Sequence, residues 1–535
     1  MRHKYIFLLS ILSGILFSIS WILFEVPFFM FIALIPLFVI SDYLVKNKNH
    51  YHSFITVTYC FPSFLIWNCS TTWWIWYSAN IGAIIIIVLN SLLMALVFGL
   101  YHYFRLKLFS HSKAYIVLIS FWLSWEWFHL HWDLSWPWLN FGNVFANYPT
   151  IVQWYEYTGT AGGTLWILVI NILLYEFCIC VFNKLNVGKK VKQFILLSLV
   201  VFIPILFSIY KYRQYTEKIN PIEIVIVQQN TDPYTEQYKL SSSEIIHRIL
   251  NLARQKTDSN TNLLVCSESA IQDYAWEDEI KNYPAIDSLI KFKNQFSKLN
   301  IVIGLSTQKK CNKNKSYLSP NLFDKKNNQF YELYNTAMFL SSSDSIIFYH
   351  KSKLVPGVEK IPFPFIFKPF IKFSDDIGGK NGSHSIDSVR KTFTFENSNA
   401  IIGTAICYES AYGEHFSEFI KNGATIMTII TNDGWWKNSP GYKQHFALSR
   451  LRAIENRRSI ARAANTGISA FINQKGDIVN QSQWWTPMVF KQKLNQNNII
   501  TIYTKFGDYI SRIANFTTCL IVLLLVSRLI KKKRN

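Results

Sequence analysis

The chain has 535 residues, too many for one ordinary domain, and is 50% hydrophobic, 16% aromatic and only 16% charged. Those averages exclude a uniform soluble protein: residues up to about 212 are a near-continuous series of apolar segments, residues 220–507 have globular composition, and one more apolar segment closes the chain. The net charge of +21 is not a nucleic-acid footprint, because much of the excess sits in short loops between apolar segments and at the termini, and no nucleic-acid-binding motif accompanies it.

The N-terminus, Met1-Arg2-His3-Lys4, is basic and then turns apolar. It is read as a retained first helix rather than a cleaved signal peptide, since a second apolar segment follows the Glu25-Val26-Pro27 break and no small-residue cleavage site stands out. Bilayer-length spans are expected at about 5–24, 27–45, 53–70, 79–103, 114–131, 162–183 and 194–211, and an eighth at about 512–530; the third is the weakest, with Pro62 inside it. Residues 1–214 are thus expected to form a membrane domain of seven helices, 220–507 a globular domain, and 512–530 a C-terminal span. Arg2 and Lys4, then Lys46 and Lys48, then Arg105, Lys107 and Lys113, then Lys184, Lys189, Lys190 and Lys192, and finally Arg528 and the Lys531–Arg534 run occupy alternate ends of these spans. That alternation places both termini in the cytoplasm and residues 220–507 on the outer face.

The outward loops are aromatic. Trp67, Trp73, Trp74 and Trp76 follow the third span, and Trp132, Trp136, Trp138 and Trp154 lie in the long loop after the fifth. They read either as an interfacial belt or as a wall that receives lipid chains. Thr158-Gly159-Thr160-Ala161-Gly162-Gly163 lacks the Lys-Ser/Thr of a phosphate loop and reads as helix entry and close packing. Charged residues inside or at the edges of the spans are few, Glu126 and Asp133 being exceptions, so no ion relay is suggested.

In the globular part, strands are expected at 222–228, 263–268, 301–305, 337–340, 345–354, 401–407 and 424–430, with a final pair at 460–463 and 469–472. Helices are expected at about 241–256, 413–421 and 442–457. Strands and helices alternate, which is an α/β pattern with stacked layers. Residues 307–330 and 373–397 read as polar loops or insertions. The eight cysteines show no zinc-site spacing, and Cys178-x-Cys180 inside an apolar helix is not a redox pair, so neither a disulfide-built domain nor a metal or cofactor is expected.

Three sheet-type segments end on groups that can cooperate: Glu268, Lys351 and Cys407. Taken singly, each has a plain reading: a solvated strand end, a surface charge and a small core residue. Together they have a chemical logic. A thiol near neutral pH is mostly protonated, a carboxylate can take its proton and return one to a leaving group, and an ammonium can stabilise the thiolate and a developing oxyanion. Such a set performs acyl transfer through a thioester.

The chain resembles the apolipoprotein N-acyltransferases, membrane members of the nitrilase (carbon–nitrogen hydrolase) superfamily. Ser267-Glu268-Ser269-Ala270 is similar to the family's strand-end glutamate motif. Tyr349-His350-Lys351-Ser352-Lys353-Leu354-Val355-Pro356 is similar to Tyr-x-Lys-x-His-Leu-Val-Pro, with Lys353 where histidine is usual. Ile406-Cys407-Tyr408-Glu409, Thr431-Asn432-Asp433-Gly434-Trp435-Trp436, Gln444-His445, Arg450-x-Arg452-Ala453-x-Glu455 and Arg462-Ala463-Ala464-Asn465-Thr466-Gly467 fit the segments that follow. The resemblance spans the whole chain. It implies an α-β-β-α sandwich with a Glu268-Lys351-Cys407 triad, Glu359 assisting, and Tyr408 and Glu409 in use after the cysteine. Two departures concern the substrate loops: Tyr234 and Tyr238 stand near where a tryptophan is frequent, and Pro356-Gly357-Val358-Glu359 replaces Pro-Phe-Gly-Glu.

The resemblance further implies a two-step reaction at the outer face of a bacterial cytoplasmic membrane. The acyl donor is a phospholipid, and the acceptor is the α-amine of an apolipoprotein's N-terminal diacylglyceryl-cysteine. Lys351, with a backbone N–H near Tyr408, would hold the oxyanion. The aromatic-proline run Pro356, Pro362, Phe363, Pro364, Phe365 and Phe367 reads either as a loop at the bilayer surface or as a packed loop. The rival readings are a membrane-tethered amidase that gives its acyl group to water, and a transporter or scaffold with a degenerate domain.

Overall fold

Long apolar runs with few charges satisfy their backbone groups within the run itself, as helices. In the computed structural model of this chain, residues 3–22, 26–109, 111–311, 322–324, 328–363 and 384–534 are described. Backbone contacts divide the chain into two units, one of Met1–Trp76, Asn80–Gln214 and Phe506–Asn535, the other of Tyr77–Ala79 and Tyr215–Lys505.

Among the described residues the first unit holds the α-helices His3–Ile22, Ile35–Lys46, Ile55–Thr72, Trp76–Lys107, His111–His129, Tyr155–Phe182, Val187–Gln214 and Tyr509–Arg534. Among the described residues, six stretches are long and apolar enough to cross a membrane: His3–Trp21, Pro27–Lys46, Ile55–Lys107, Tyr155–Phe182, Val187–Gln214 and Tyr509–Lys531. The Ile55–Lys107 stretch contains two helices joined at the Trp73–Ile75 turn, so the third and fourth expected spans fall together. His111–His129 forms a helix but is less apolar, diluted by Lys113, Glu126 and its serines and histidines. Pro62 is accommodated inside its helix.

The tryptophans expected at the interface divide. Trp67, Trp74 and Trp138 are buried, whereas Trp73 and Trp76 are exposed. Trp67 stacks on Phe17 at 4.8 Å and Trp122 on Phe141 at 4.5 Å, so much of the aromatic content is packing inside the unit. The glycine-rich stretch also serves packing. Gly159 takes φ +62° inside the Tyr155–Phe182 helix, and a Cβ on Gly163 would stand 1.9 Å from the Tyr155 hydroxyl. Helices Val187–Gln214 and Tyr509–Arg534 expose large apolar side chains such as Phe194, Phe202, Leu206 and Leu523, a surface suited to lipid rather than water.

The second unit is an α-β-β-α sandwich. One sheet contains β1 (Pro221–Gln228), β2 (Leu263–Val265), β3 (Ile271–Trp276), β4 (Asn300–Cys311), β5 (Leu322–Asp324), β6 (Gln329–Leu340) and β7 (Ile346–His350). The other contains β8 (Thr392–Thr394), β9 (Ile401–Ile406), β10 (Ile426–Thr431), β11 (Ile460–Ala464), β12 (Ala470–Ile472) and β13 (Ile478–Gln481). A last strand, β14 (Met488–Asn495), joins the first sheet, whose order is β14-β1-β2-β4-β6-β5, with β3 on β4 and β7 on β6; the second runs β13-β12-β11-β10-β9-β8. β1, β2 and β4 are parallel, as are β9, β10 and β11.

The two-residue period of β1 assigns its faces. Ile222, Ile224 and Ile226 share a core with Ile402, Ala405 and Ile429 of the second sheet, while Val225 and Val227 pack with Ile245, Ile246 and Ile249 of helix Ser242–Ala253 and Leu289 of helix Pro284–Lys293. Burial on both faces explains why these strands read as unbroken apolar runs. Helices Gly413–Lys421 and Pro440–Asn456 contribute Phe416, Phe419 and Phe446 to the core of the second sheet. The parallel strands end together, and Glu268, Cys407 and Asn432 all lie just past such ends.

Candidate active site

Each candidate side chain is delivered by a strand end. β2 stops at Val265, but the chain keeps to β4: Cys266 N–H donates to Val302 O, Gly304 N–H to Ser267 O and Ala270 N–H to Gly304 O. A Cβ on Gly304 would lie 2.5 Å from Glu268 Cα, so only glycine lets β4 come this close to the glutamate. Lys351 follows β7, and its N–H donates to Asn335 O of β6 at 2.8 Å. Cys407 is the residue after β9 and opens the short helical turn Cys407–Ala411 with φ +50°. A non-glycine residue in that region costs about 1–3 kcal/mol and persists only where its surroundings enforce it. Glu359 sits on the turn after Leu354, where Gly357 takes φ +80° and the Val355 N–H donates to Glu359 Oε2 at 2.8 Å.

Lys351 is almost fully enclosed, and its Nζ donates to Glu268 Oε1 at 3.1 Å and to Glu359 Oε1 at 2.7 Å. The Asn335 amide donates to the same two oxygens, at 2.8 and 3.0 Å. Glu268 Oε2 accepts from the backbone N–H of Asn432 at 3.1 Å. Burial disfavours charge on Lys351, but the two carboxylates outweigh it and hold the ammonium well above its ordinary range. Burial likewise opposes ionisation of Glu359, yet Lys351 and the nearby His384 hold its carboxyl low. Cys407 behaves differently. Burial pushes its thiol up, the Glu268 charge pushes it further, and Lys351 pulls it back only in part. The resting group is therefore a thiol, and a base is needed to make it a nucleophile.

Glu409 is completely buried and joins the two sheets. Its Oε2 accepts from Ile406 N–H at 2.8 Å, at the end of β9; its Oε1 accepts from Tyr349 Oη at 2.6 Å and from Ser352 N–H at 2.7 Å, flanking Lys351. His415 Nε2 lies 3.1 Å from Oε1. Tyr408 is buried with its ring 5.2 Å from that of Tyr412. Tyr238 is exposed and 6.2 Å from the Trp435 ring; desolvation, then Tyr274, Glu268 and Glu359, push its pKa up. Lys353, the departure from histidine, places its ammonium 4.9 Å from the Tyr412 ring centre. Of the aromatic-proline run, Pro356, Pro362 and Phe363 are described, whereas Pro364, Phe365 and Phe367 lie outside the described residues.

Sequence reasoning missed Asn335, whose only signal was an amide interrupting an apolar strand. It also missed His350. Beside Lys351, this buried imidazole has Nε2 2.5 Å from Glu277 Oε1 and Nδ1 3.0 Å from Asp387 Oδ1, and it stacks on Tyr334 at 3.9 Å. Burial disfavours its charge, but Asp387 and Glu277 overcome that and raise its pKa.

Two expectations follow. Glu409→Gln turns an N–H₂ group towards backbone N–H donors and leaves His415 without its carboxylate, so it should destabilise the second unit by about 3–5 kcal/mol, read by thermal or denaturant unfolding. For His350, a raised folded-state pKa means its contribution is complete below the unfolded value of about 6.5 and is lost as pH rises through the folded value. The unfolding temperature of wild type should exceed that of His350→Gln most at pH 6, with the gap narrowing by pH 9.

Residues 224–502, just over half the chain, match the carbon–nitrogen hydrolase family, and residues 13–173 match the apolipoprotein N-acyltransferase N-terminal domain. The apolipoprotein N-acyltransferase of Chlorobaculum tepidum is 27% identical over 95% of this chain and 94% of its own length. Apolipoprotein N-acyltransferase 1 of Treponema denticola is 26% identical over 98% and 97%. That of Aquifex aeolicus is 28% identical over 89% and 96%. The chain belongs to the carbon–nitrogen hydrolase family and, by the domain that precedes the hydrolase fold, to its apolipoprotein N-acyltransferase branch.

Proposed function

We propose that this chain N-acylates lipoproteins: it moves a fatty acyl chain from a phospholipid to Cys407, and from there to the α-amine of an N-terminal diacylglyceryl-cysteine. The observation that carries this is the shared Lys351 ammonium, held between Glu268 and Glu359 beside a partly buried, protonated thiol. Near-full-length similarity to proteins named apolipoprotein N-acyltransferase supports the choice of acceptor.

In the first half-reaction Glu268 takes the thiol proton and the sulfur attacks the ester carbonyl carbon. The oxyanion forms near Lys351, the ester C–O bond breaks, and Glu268 returns the proton to the departing lysophospholipid oxygen. In the second half the amine attacks the thioester carbonyl and Glu268 takes a proton from nitrogen. The C–S bond then breaks and the thiolate recovers that proton. Glu359 has a defined part in this. Whenever Glu268 is protonated, Lys351 remains paired at 2.7 Å, so the proton can move without stranding a buried ammonium. The alternation of positively charged loops supports an orientation with both termini in the cytoplasm and residues 220–507 on the outer face of a bacterial inner membrane.

The test supplies the purified chain with phospholipid vesicles and a synthetic diacylated lipopeptide bearing a free α-amine, and reads the products by mass. The expected product is the triacylated peptide, with Glu268→Gln lowering its rate by about 10²–10⁴-fold. Release of free fatty acid at a rate indifferent to the lipopeptide would instead assign a hydrolase.

A further inference from the structure

Behind the Cys407 backbone lies a buried polar assembly that the acyl-transfer steps do not use. Asp433, His445 and Arg462 are all fully buried. Arg462 Nη2 donates to Asp433 Oδ2 at 2.6 Å, and the Thr431 hydroxyl donates to Asp433 Oδ1 at 2.9 Å. His445 Nδ1 faces Asp433 Oδ1 at 2.9 Å and Arg462 Nη2 at 3.2 Å. That orients the imidazole so that Nε2 stands 3.1 Å from the carbonyl oxygen of Cys407 and 2.9 Å from Ser410 Oγ. Ser410 donates to the same carbonyl at 2.7 Å. The Cys407 peptide, in its left-handed conformation, is thus gripped from two sides.

The same turn reaches the base. Asn432, next to Asp433, donates its N–H to Glu268 Oε2, and its side chain is held by Gln237 and Asn465. One three-residue segment, Thr431–Asp433, therefore contacts the Glu268 carboxylate directly and the Cys407 backbone through His445. We propose that Asp433 and His445 are positioning residues: through the Cys407 carbonyl they fix the strained turn that aims the thiol, and with Asn432 they set the spacing between thiol and Glu268. This rests on the assignment of Cys407 as the nucleophile.

The test reads thiol chemistry, which needs no lipid substrate. The full chain in detergent is treated with iodoacetamide between pH 6 and 10, and alkylation of Cys407 is followed by peptide mass, with the partly exposed Cys311 as internal control. His445→Ala is expected to slow Cys407 alkylation by about tenfold or more and to displace its pH profile, with Cys311 unaffected. His445→Gln, which can present an amide N–H near the place of Nε2, is expected to recover most of the rate. Wild-type rate and profile in the alanine variant would overturn the proposal. So would equal losses in the alanine and glutamine variants, which would show that packing rather than the polar contact matters. If alkylation follows expectation but wild type never acylates Cys407 from phospholipid, the acyl-transfer reading fails and the positioning role stands.

Discussion

The site depends on one buried carboxylate that bonds to two sheets at once. Glu409 accepts from Ile406 at the end of β9 and from Tyr349 and Ser352 around the end of β7. β7 belongs to one layer of the sandwich and β9 to the other, so this carboxylate adds directional bonds between the segments that carry Cys407 and Lys351, where apolar packing alone is non-directional. A carboxylate satisfied by several donors converts that packing into a fixed register. The cost of burying its charge is met by the same bonds, and that is why the residue two places after the cysteine is an acid with no part in the proton transfers proposed above.

Given that register, the electrostatics divide into a fixed part and a movable part. Lys351 and Glu359 are locked in their charged forms by each other. Cys407 is held as a thiol by burial and by the Glu268 charge, so reactivity arises only when the proton moves. An ammonium with two carboxylate partners tolerates the temporary loss of one. Asn335 reinforces this by placing its two amide hydrogens on the two acids. The arrangement suits a reaction that passes a proton out and back twice, once for each half of an acyl transfer.

Much of this was legible in the sequence, and the limits have physical causes. Strands buried on both faces declare themselves as apolar runs, and the runs at 222–228 and 401–407 match β1 and β9 to within a residue. β14 was missed: the polar stretch Lys491-Gln492-Lys493 breaks the apolar run there, and its place beside β1 is fixed by long-range pairing. Glu268, Lys351 and Cys407 were visible because each follows a run. Asn335, His350 and Asp433 draw their meaning from partners distant in sequence, such as Glu359, Glu277 and Arg462, 24 or more residues away. In the first unit, composition located the apolar helices but could not distinguish a tryptophan at an interface from one packed inside; Trp67 and Trp76 are close in sequence and opposite in burial.

The most direct measurement is the intact mass of the full chain after incubation with phospholipid in the absence of any amine acceptor. A thioester intermediate predicts a gain of one acyl chain that hydroxylamine removes, that maps to Cys407, and that is absent from Cys407→Ala. An adduct that persists in Cys407→Ala, or no adduct in wild type under conditions that sustain lipid turnover, would contradict the thioester at the centre of the account.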